Sequence, residues 1–424
     1  MRQEGSGALG CKLRMDVRYA SLAYPPSLGG GEIHLHRLAQ GVASRGHDVA
    51  VVTQWSHTRS DWLSGATLRC DTPRRYVHEG VPVAQLGFSR ATRMKMVPAV
   101  FAYKQRWGRA AAIRRIAGLM QADFEGAVGQ RPDLVHTLRI GREFLPTAAL
   151  EYSRRVDVPL VVSALHHPNW TKPHHRHFEL IYQAADAVIA LTEFEKSLLV
   201  ERKGVKPERV HVTGIGPVLG PDPDVPAFRA RHSIEGPFAL FIGRKVPHKG
   251  WRAMLEAAPQ LFMRHPDVSL VFLGHDTEES RLAFDAAHGS RIHNLGPVDL
   301  ETKTAALHAC EFLCVPSTSE SFGGVYTEAW ACAKPVIAGD VPPLDEVVTR
   351  DVDGLLVEQQ PGPLADAMGT LFTDSAMRAR MGAAGLAKVR ERYDWDRLAD
   401  ATLRVYASAL GRRAPVADSM ESTS

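Results

Sequence analysis

Long apolar runs are missing from this chain of 424 residues. None reaches the ~18 residues a membrane-spanning helix needs, which argues against an α-helical membrane protein. The first residues, MRQEGSGALGCKLR, hold no apolar signal core, so a cytoplasmic protein is expected. Cysteine is scarce: Cys11, Cys70, Cys310, Cys314 and Cys332 are scattered and form no C-x-x-C pair. An odd, dispersed set reads as free thiols rather than disulfides or a zinc site. Repeats of solenoid period and low-complexity segments are absent. So is a large net charge. With 51 basic and 47 acidic residues the balance is +4, which does not suggest a nucleic-acid binder. Acid is also missing locally. Between Glu79 and Asp123 the only charged residues are the eight cations Arg90, Arg93, Lys95, Lys104, Arg106, Arg109, Arg114 and Arg115.

What is present is alternation. Hydrophobic residues at 45% and charged residues at 23% fit an ordinary globular protein, and the length calls for at least two cores. Short β-rich runs at 49–53, 160–164, 187–191 and 210–213, then at 238–242, 268–273, 312–315, 335–338 and 355–357, alternate with helix-period segments such as 32–45. That order predicts α/β domains with parallel sheets covered on both faces. Met15 to Tyr19 makes a plausible first strand. The segment 214–227, GIGPVLGPDPDVPA, reads as a linker because its prolines and glycines sustain neither helix nor central strand. Ligands of such sheets sit at the carboxyl ends of strands, so the chemistry is expected in the cleft between two domains.

Three segments carry chemistry. The first is PSTSESFGGVYTE, 316–328, which follows an apolar strand and enters a helix near Gly324. Gly323 and Gly324 let the backbone approach a ligand, and free amides at a helix start suit phosphate or sugar oxygens. Glu320 and Glu328 can each accept paired hydroxyl hydrogen bonds from a polyol. Read singly, they are a loop carboxylate and a solvated helix carboxylate. The second is FIGRKVPHKG, 241–250, where a strand ends in Gly243 and Arg244, Lys245 and Lys249 follow. Cations at that position can neutralise a diphosphate leaving group, or form a solvated basic turn. The third, PPSLGGGE at 25–32, is a glycine-rich turn able to approach phosphate or sugar.

Together these residues resemble the family 4 retaining glycosyltransferases of the GT-B fold, from about Met15 to Leu410. The likeness rests on GG-x-E with RGHDV, PDLVH, ADAVIALTEFEK, FIGR with HKG, and ESFGGVYTEAWACAKPVIAGD. It implies an acceptor domain over 15–216 and a donor domain over 217–393. It also implies a last helix, 396–410, crossing back onto the first domain, and flexible tails at 1–14 and 411–424. Arg244 and Lys249 would bind the donor diphosphate, Glu320 the transferred sugar and Glu328 the ribose. The backbone at Phe322, Gly323, Gly324 and Val325 would meet sugar and phosphate, with Gly243, Gly29 and Gly30 beside the phosphates. A histidine beside the transferred sugar is assigned to His166 in preference to His167, which goes to the acceptor side. The reaction implied is a same-face displacement that retains anomeric configuration, with no metal and no cofactor beyond the nucleotide-sugar co-substrate. Three departures stand out: Pro217-Val218 where Val-Asp is usual, Pro342-Pro343 where glycines are common, and His167 where Asp is frequent.

The acceptor is open among a glycan, a lipid-linked sugar and a small molecule. A nucleotide-sugar epimerase and a catalytically silent sugar-nucleotide binder are the competing readings. The histidine-rich run with His166, His167, His174, His175 and His177 reads as acceptor contacts, a solvated loop or a metal pair, although no acid or cysteine nearby completes a metal set. The acid-free stretch, with Met94, Met96, Val97, Val100, Phe101, Tyr103 and Trp107 woven in, is a membrane-surface helix, a helix packed inward with solvated cations, or a face whose cations meet a phosphorylated acceptor. At most weak peripheral contact at the inner membrane face is expected. Arg106 and Arg109 are the candidates for acceptor contact.

Overall fold

The structure, a computed structural model, describes residues 14–25, 29–55, 63–105, 107–168, 176–221, 223–287, 289 and 291–413. It contains two sheets. The first runs in the order β3-β4-β2-β1-β5-β6-β7-β8. Its strands are β1 (Asp16–Ala23), β2 (Asp48–Trp55), β3 (Arg74–His78), β4 (Val81–Gln85), β5 (Leu134–Leu138), β6 (Leu160–Ser163), β7 (Ala187–Ala190) and β8 (Val210–Val212). The second runs β11-β10-β9-β12-β13-β14. Here the strands are β9 (Phe238–Ile242), β10 (Ser269–Leu273), β11 (Ile292–Gly296), β12 (Phe312–Val315), β13 (Val336–Gly339) and β14 (Gly354–Val357). Every pairing is parallel except β3 with β4. Strands such as LVVS, AVIA and FLCV are buried along their whole length, the signature of a parallel sheet covered on both faces.

Sequence order reverses in both sheets. It does so between β1 and β5 in the first and between β9 and β12 in the second. Loops leaving neighbouring strands at such a switch diverge and open a crevice. The expected strands are present with ends shifted by a few residues. The β3–β4 hairpin, β5 and β11 were not anticipated; β5, LVHTL, is fully buried, but its His136 and Thr137 interrupt the apolar run. In β3, RRYVH carries no buried residue, and β11 is only half-buried, so each is an edge strand specified by its neighbour rather than by an apolar run.

The connection between the sheets is shorter than the sequence suggested. A helix, Val225–His232, begins inside the presumed linker: Pro226 sits in its first turn, where a missing N–H costs nothing, and Asp224 caps the Ala227 amide at 2.9 Å. The remaining residues are clasped by aromatics. A Cβ on Gly214, whose φ is 88°, would lie 2.7 Å from the Tyr393 ring, and one on Gly216 would lie 2.6 Å from Trp395. Where the family commonly has Val-Asp, the Pro217 carbonyl accepts from Trp395 Nε1 at 2.7 Å and the Val218 carbonyl from Lys303 Nζ at 2.9 Å. Backbone carbonyls thus tie this junction.

The last helix, Trp395–Arg413, returns to the eight-stranded half. It extends past residue 410, and Arg412 reaches the Glu208 carbonyl. Val405, Tyr406 and Ala409 complete a core with Tyr19, Leu35 and Leu134. Tyr406 Oη is 2.7 Å from His136 Nδ1 and donates to Tyr19 Oη at 3.0 Å. Arg14, at the edge of the expected N-terminal tail, pairs with Asp48, and Met15 is buried.

Cys70, Cys310, Cys314 and Cys332 are buried free thiols, and burial pushes Cys70, Cys310 and Cys332 up to about 12, far from reactive. Cys11 lies outside the described residues. No described helix is long and apolar enough to cross a membrane.

Candidate active site between the two sheets

At the β9–β12 switch point, two loops leave side by side and are stitched together. The Thr318 amide donates to the His248 carbonyl at 2.8 Å, and Gln359 Nε2 donates to the Pro316 carbonyl at 2.8 Å and the His248 carbonyl at 3.3 Å. Gly250 makes this possible. Its φ is 81°, and a Cβ there would stand 2.7 Å from the Pro316 carbonyl oxygen. The outcome is an ion pair between Lys249 Nζ and Glu320 Oε1, to which Ser317 Oγ also donates at 3.1 Å. Glu320 is buried, whereas Lys249 keeps partial access to solvent.

The neighbouring cations have separate duties. Lys245 is fully buried, donates to the Gly274 carbonyl at 2.6 Å and lies 3.3 Å from Asp276, so it fastens the β9 loop to the β10 loop. Burial lowers its pKa against the pull of Asp276. Arg244 is exposed at the rim and has no ion-pair partner among the described residues. Gly243 keeps its amide on the Leu273 carbonyl at 3.0 Å.

Beyond the second loop, the Gly324–Ala331 helix starts without a side-chain cap, after Gly323 with φ 82°. Phe322 is buried edge-on against Tyr393, and Val325 is half-buried, so backbone rather than side chain is what this turn offers a ligand. Glu328 is buried one turn inside. Its Oε1 accepts from Lys303 Nζ at 2.7 Å, while burial raises the carboxyl pKa against that lysine. Among the described residues Oε2 makes no hydrogen bond of normal geometry, although the nearby Val218 backbone eases the carboxylate's burial. An unmet buried carboxylate oxygen is costly and suits a ligand hydroxyl.

From the other sheet, His167 crosses the cleft. Its Nδ1 lies 3.2 Å from Ser319 Oγ, and its ring packs against His248 at 6.3 Å. Burial lowers its pKa, with Glu320 opposing and Lys249 reinforcing. His166 is the more buried of the two and packs edge-on against Tyr182. Its amide donates to Glu195 Oε1 at 2.5 Å, while Oε2 of the same carboxylate accepts from the Leu191 amide at 2.7 Å. Glu195 therefore pins the histidine loop to the end of β7. Burial pushes its pKa up to about 7 against those two amides. The sequence signal for Glu195 was weak: an acid three residues after Thr192, which caps the same helix.

Gly29 precedes the Gly30–Ala43 helix, and among the described residues a Cβ on Gly30 would meet nothing within 4 Å. Residues 26–28, Arg106, His174 and His175 lie outside the described residues. Arg109 is not a free cation. It pairs with Glu143 at 3.0 Å and lies over the Tyr103 ring at 4.1 Å. Likewise His177 bonds Thr147 Oγ1 at 3.0 Å. The acid-free stretch forms two helices, Arg90–Lys104 and Arg109–Val128, with Met96, Val100 and Tyr103 packed inward. Met94, Phe101 and Trp107 remain exposed, beside exposed Arg90, Lys95, Lys104, Arg114 and Arg115.

Comparison with known proteins agrees with this geometry. Residues 29–216 match the model of the glycosyl transferase 4-like domain, and residues 224–388 match that of glycosyl transferases group 1. The chain is 36% identical to a D-inositol 3-phosphate glycosyltransferase of Xylanimonas cellulosilytica over 55% of its own length and 60% of the relative's. With the enzyme of that name from Pseudarthrobacter chlorophenolicus it shares 32% over 62% and 69%. Identity to the phosphatidyl-myo-inositol mannosyltransferase of Mycobacterium tuberculosis is 28%, over 92% of this chain and 95% of that one. Among solved structures, HepE of Anabaena, crystallised with UDP and glucose, superposes with a TM-score of 0.69 at 18% identity, covering 93% and 100% of the two chains. The chain belongs to the group 1, family 4 glycosyltransferases and has their GT-B fold of two parallel-sheet α/β domains.

Proposed function

We propose that the protein moves a sugar from a nucleotide-diphosphate sugar to an acceptor hydroxyl, retaining the anomeric configuration and using no metal in the reaction. The observation that carries the proposal is the convergence of Lys249, Glu320 and His167 in one cleft, with Glu328 buried in the first turns of the helix that follows the Glu320 loop. Lys249 and Arg244 receive the diphosphate. Lys249 is already held beside the site by Glu320, so little ordering is left for the moment of binding. Glu320 accepts from sugar hydroxyls, Glu328 from the ribose, and the amides from Phe322 to Val325 face sugar and phosphate. Gly243, Gly29 and Gly30 flank the phosphates. In the reaction the bond from the anomeric carbon to the phosphate oxygen breaks as the acceptor oxygen bonds that carbon on the same face. The acceptor proton passes to the departing phosphate, and the cations stabilise its charge.

His166 stands beside the transferred sugar and His167 on the acceptor side. The relatives' names point to inositol phosphates or phosphatidylinositol as acceptor class, and the arginine-rich end of β5 supports a phosphate there: Arg142 lies over the Tyr103 ring and Arg139 over the Phe178 ring. The exposed apolar and basic residues of the two helices over 90–128 support no more than weak contact with an anionic membrane, since a second anchor is not evident.

The test is a thermal-shift screen of uridine, guanosine and adenosine diphosphates and their sugars, followed by NMR of the product anomer. A ligand at 100 times its dissociation constant adds about 2.7 kcal/mol. Retention, and turnover within about twofold of control in excess EDTA, are the expected results. A product of inverted configuration, or activity that vanishes with EDTA and returns with manganese, defeats the mechanism. Turnover without acceptor turns the reading to an epimerase.

A further inference from the structure

Away from the cleft, His36, His78 and Glu79 meet at the outer edge of the eight-stranded sheet. His36 lies on the Gly30–Ala43 helix and is 3% exposed, His78 ends β3, and Glu79 sits in the turn to β4. One ligand atom from each lies within 4.8 Å of the others; His36 Nε2 and Glu79 Oε2 are 3.2 Å apart. Ligand atoms at ~2.0–2.1 Å around a tetrahedral zinc are about 3.4 Å from one another, so adjustments of about an ångström close the triad on an ion.

Two details go beyond a chance hydrogen-bonded trio. First, Tyr24 Oη is 2.6 Å from His36 Nδ1, an outer bond of the type that fixes a ligating imidazole and turns its other nitrogen to the metal. Second, Glu79 and Gly80 have φ of 42° and 83°, the double left-handed pattern of a tight hairpin turn that normally selects Asn, Asp or Gly. A glutamate held there aims a carboxylate at His36. Its other partners are Gln40 Nε2 at 3.1 Å and Arg37 at 3.8 Å, the latter partly exposed and free to swing to solvent.

We propose that His36 Nε2, His78 and the Glu79 carboxylate bind one divalent transition-metal ion of the zinc class, with water as fourth ligand. Two imidazoles with one carboxylate favour such an ion over magnesium or calcium. The ion would clamp the β3–β4 hairpin to the helix that opens at Gly30. The site shares no ligand with the donor cleft and is independent of the proposed reaction.

Tag-free protein, stripped with chelator and dialysed, is titrated with zinc chloride by calorimetry, with cobalt(II) absorption as a second readout. One ion per chain and a tetrahedral cobalt spectrum are expected. Glu79→Asn preserves the left-handed turn and should weaken zinc binding tenfold or more; His78→Ala, at a half-buried position, should abolish it. Tyr24→Phe should weaken it with donor affinity unchanged. His174→Ala with His175→Ala, in the separate histidine-rich run, should leave it intact. Absence of zinc binding in the parent protein overturns the proposal. So does binding that survives His78→Ala and disappears with the His174 and His175 pair.

Discussion

In the six-stranded half, Lys245, Lys249 and Lys303 each lie against a carboxylate of their own domain, namely Asp276, Glu320 and Glu328, with little of either partner exposed. In the eight-stranded half, Arg90, Lys95, Lys104, Arg114 and Arg115 stand in solvent. Partly desolvated pairs are held in place before a ligand arrives, and their fields are weakly screened. Exposed cations are screened and mobile, each worth a fraction of a kcal/mol. On the proposed assignment, the donor side has its recognition built into loop geometry, while the acceptor side draws on a broad surface field that tolerates change.

The sharpest way to break this contrast is Lys249→Ala, which removes a charged hydrogen bond worth ~1.5–3 kcal/mol. Calorimetry should record a ten- to hundredfold loss of nucleoside diphosphate affinity; unchanged affinity would move the donor elsewhere. Glu328→Gln should weaken the bare nucleotide, whereas Glu320→Gln should spare it and depress transfer. Equal losses would end that division of roles.

Gly216→Ala tests the joint between the halves. Trp395 is held by the Pro217 carbonyl and packs on His34, so it has little freedom to retreat from a Cβ at 2.6 Å. A loss of ~1–3 kcal/mol in denaturant melts is expected, the range of overpacked cores. Stability like that of the parent would mean the clasp is loose.

Glu195 offers a pH signature in the eight-stranded half. Its folded pKa, raised to about 7 from 4.5, means that the folded state binds the proton more tightly. The resulting stability is complete below about pH 4.5 and is lost as pH rises towards 7. Glu195→Gln should flatten the decline of melting temperature across that window, and an unchanged slope would place its source elsewhere.

Smallest should be the effect of Lys95→Ala with Arg115→Ala. Both are exposed and unpaired among the described residues, unlike Arg109, whose loss would strand buried Glu143. Donor affinity should not move, and sedimentation with acidic vesicles should be weak and abolished by physiological salt. Binding that persists in such salt would make the basic surface a true membrane site.

The sequence by itself determined the architecture and the two loops that carry the residues proposed for the donor. Short continuous apolar runs bounded by turn residues and alternating with helical segments read as buried parallel strands, and FIGR…HKG and ESFGG…E are contiguous motifs whose residues stay close to where the chain puts them. Left to tertiary structure were contacts between residues far apart in sequence. Lys303 with Glu328, Trp395 with Pro217, Glu195 with the His166 amide and His167 with Ser319 leave no local pattern, because each depends on where two elements dock. The same holds for Arg109, a plausible ligand cation by composition whose charge is met by Glu143 across a helix pair. Edge strands β3 and β11 were equally unreadable, since a half-exposed strand is fixed by its neighbour's hydrogen bonds rather than by its own burial. Periodicity encodes what a segment buries, and only the folded chain decides which partner it buries it against.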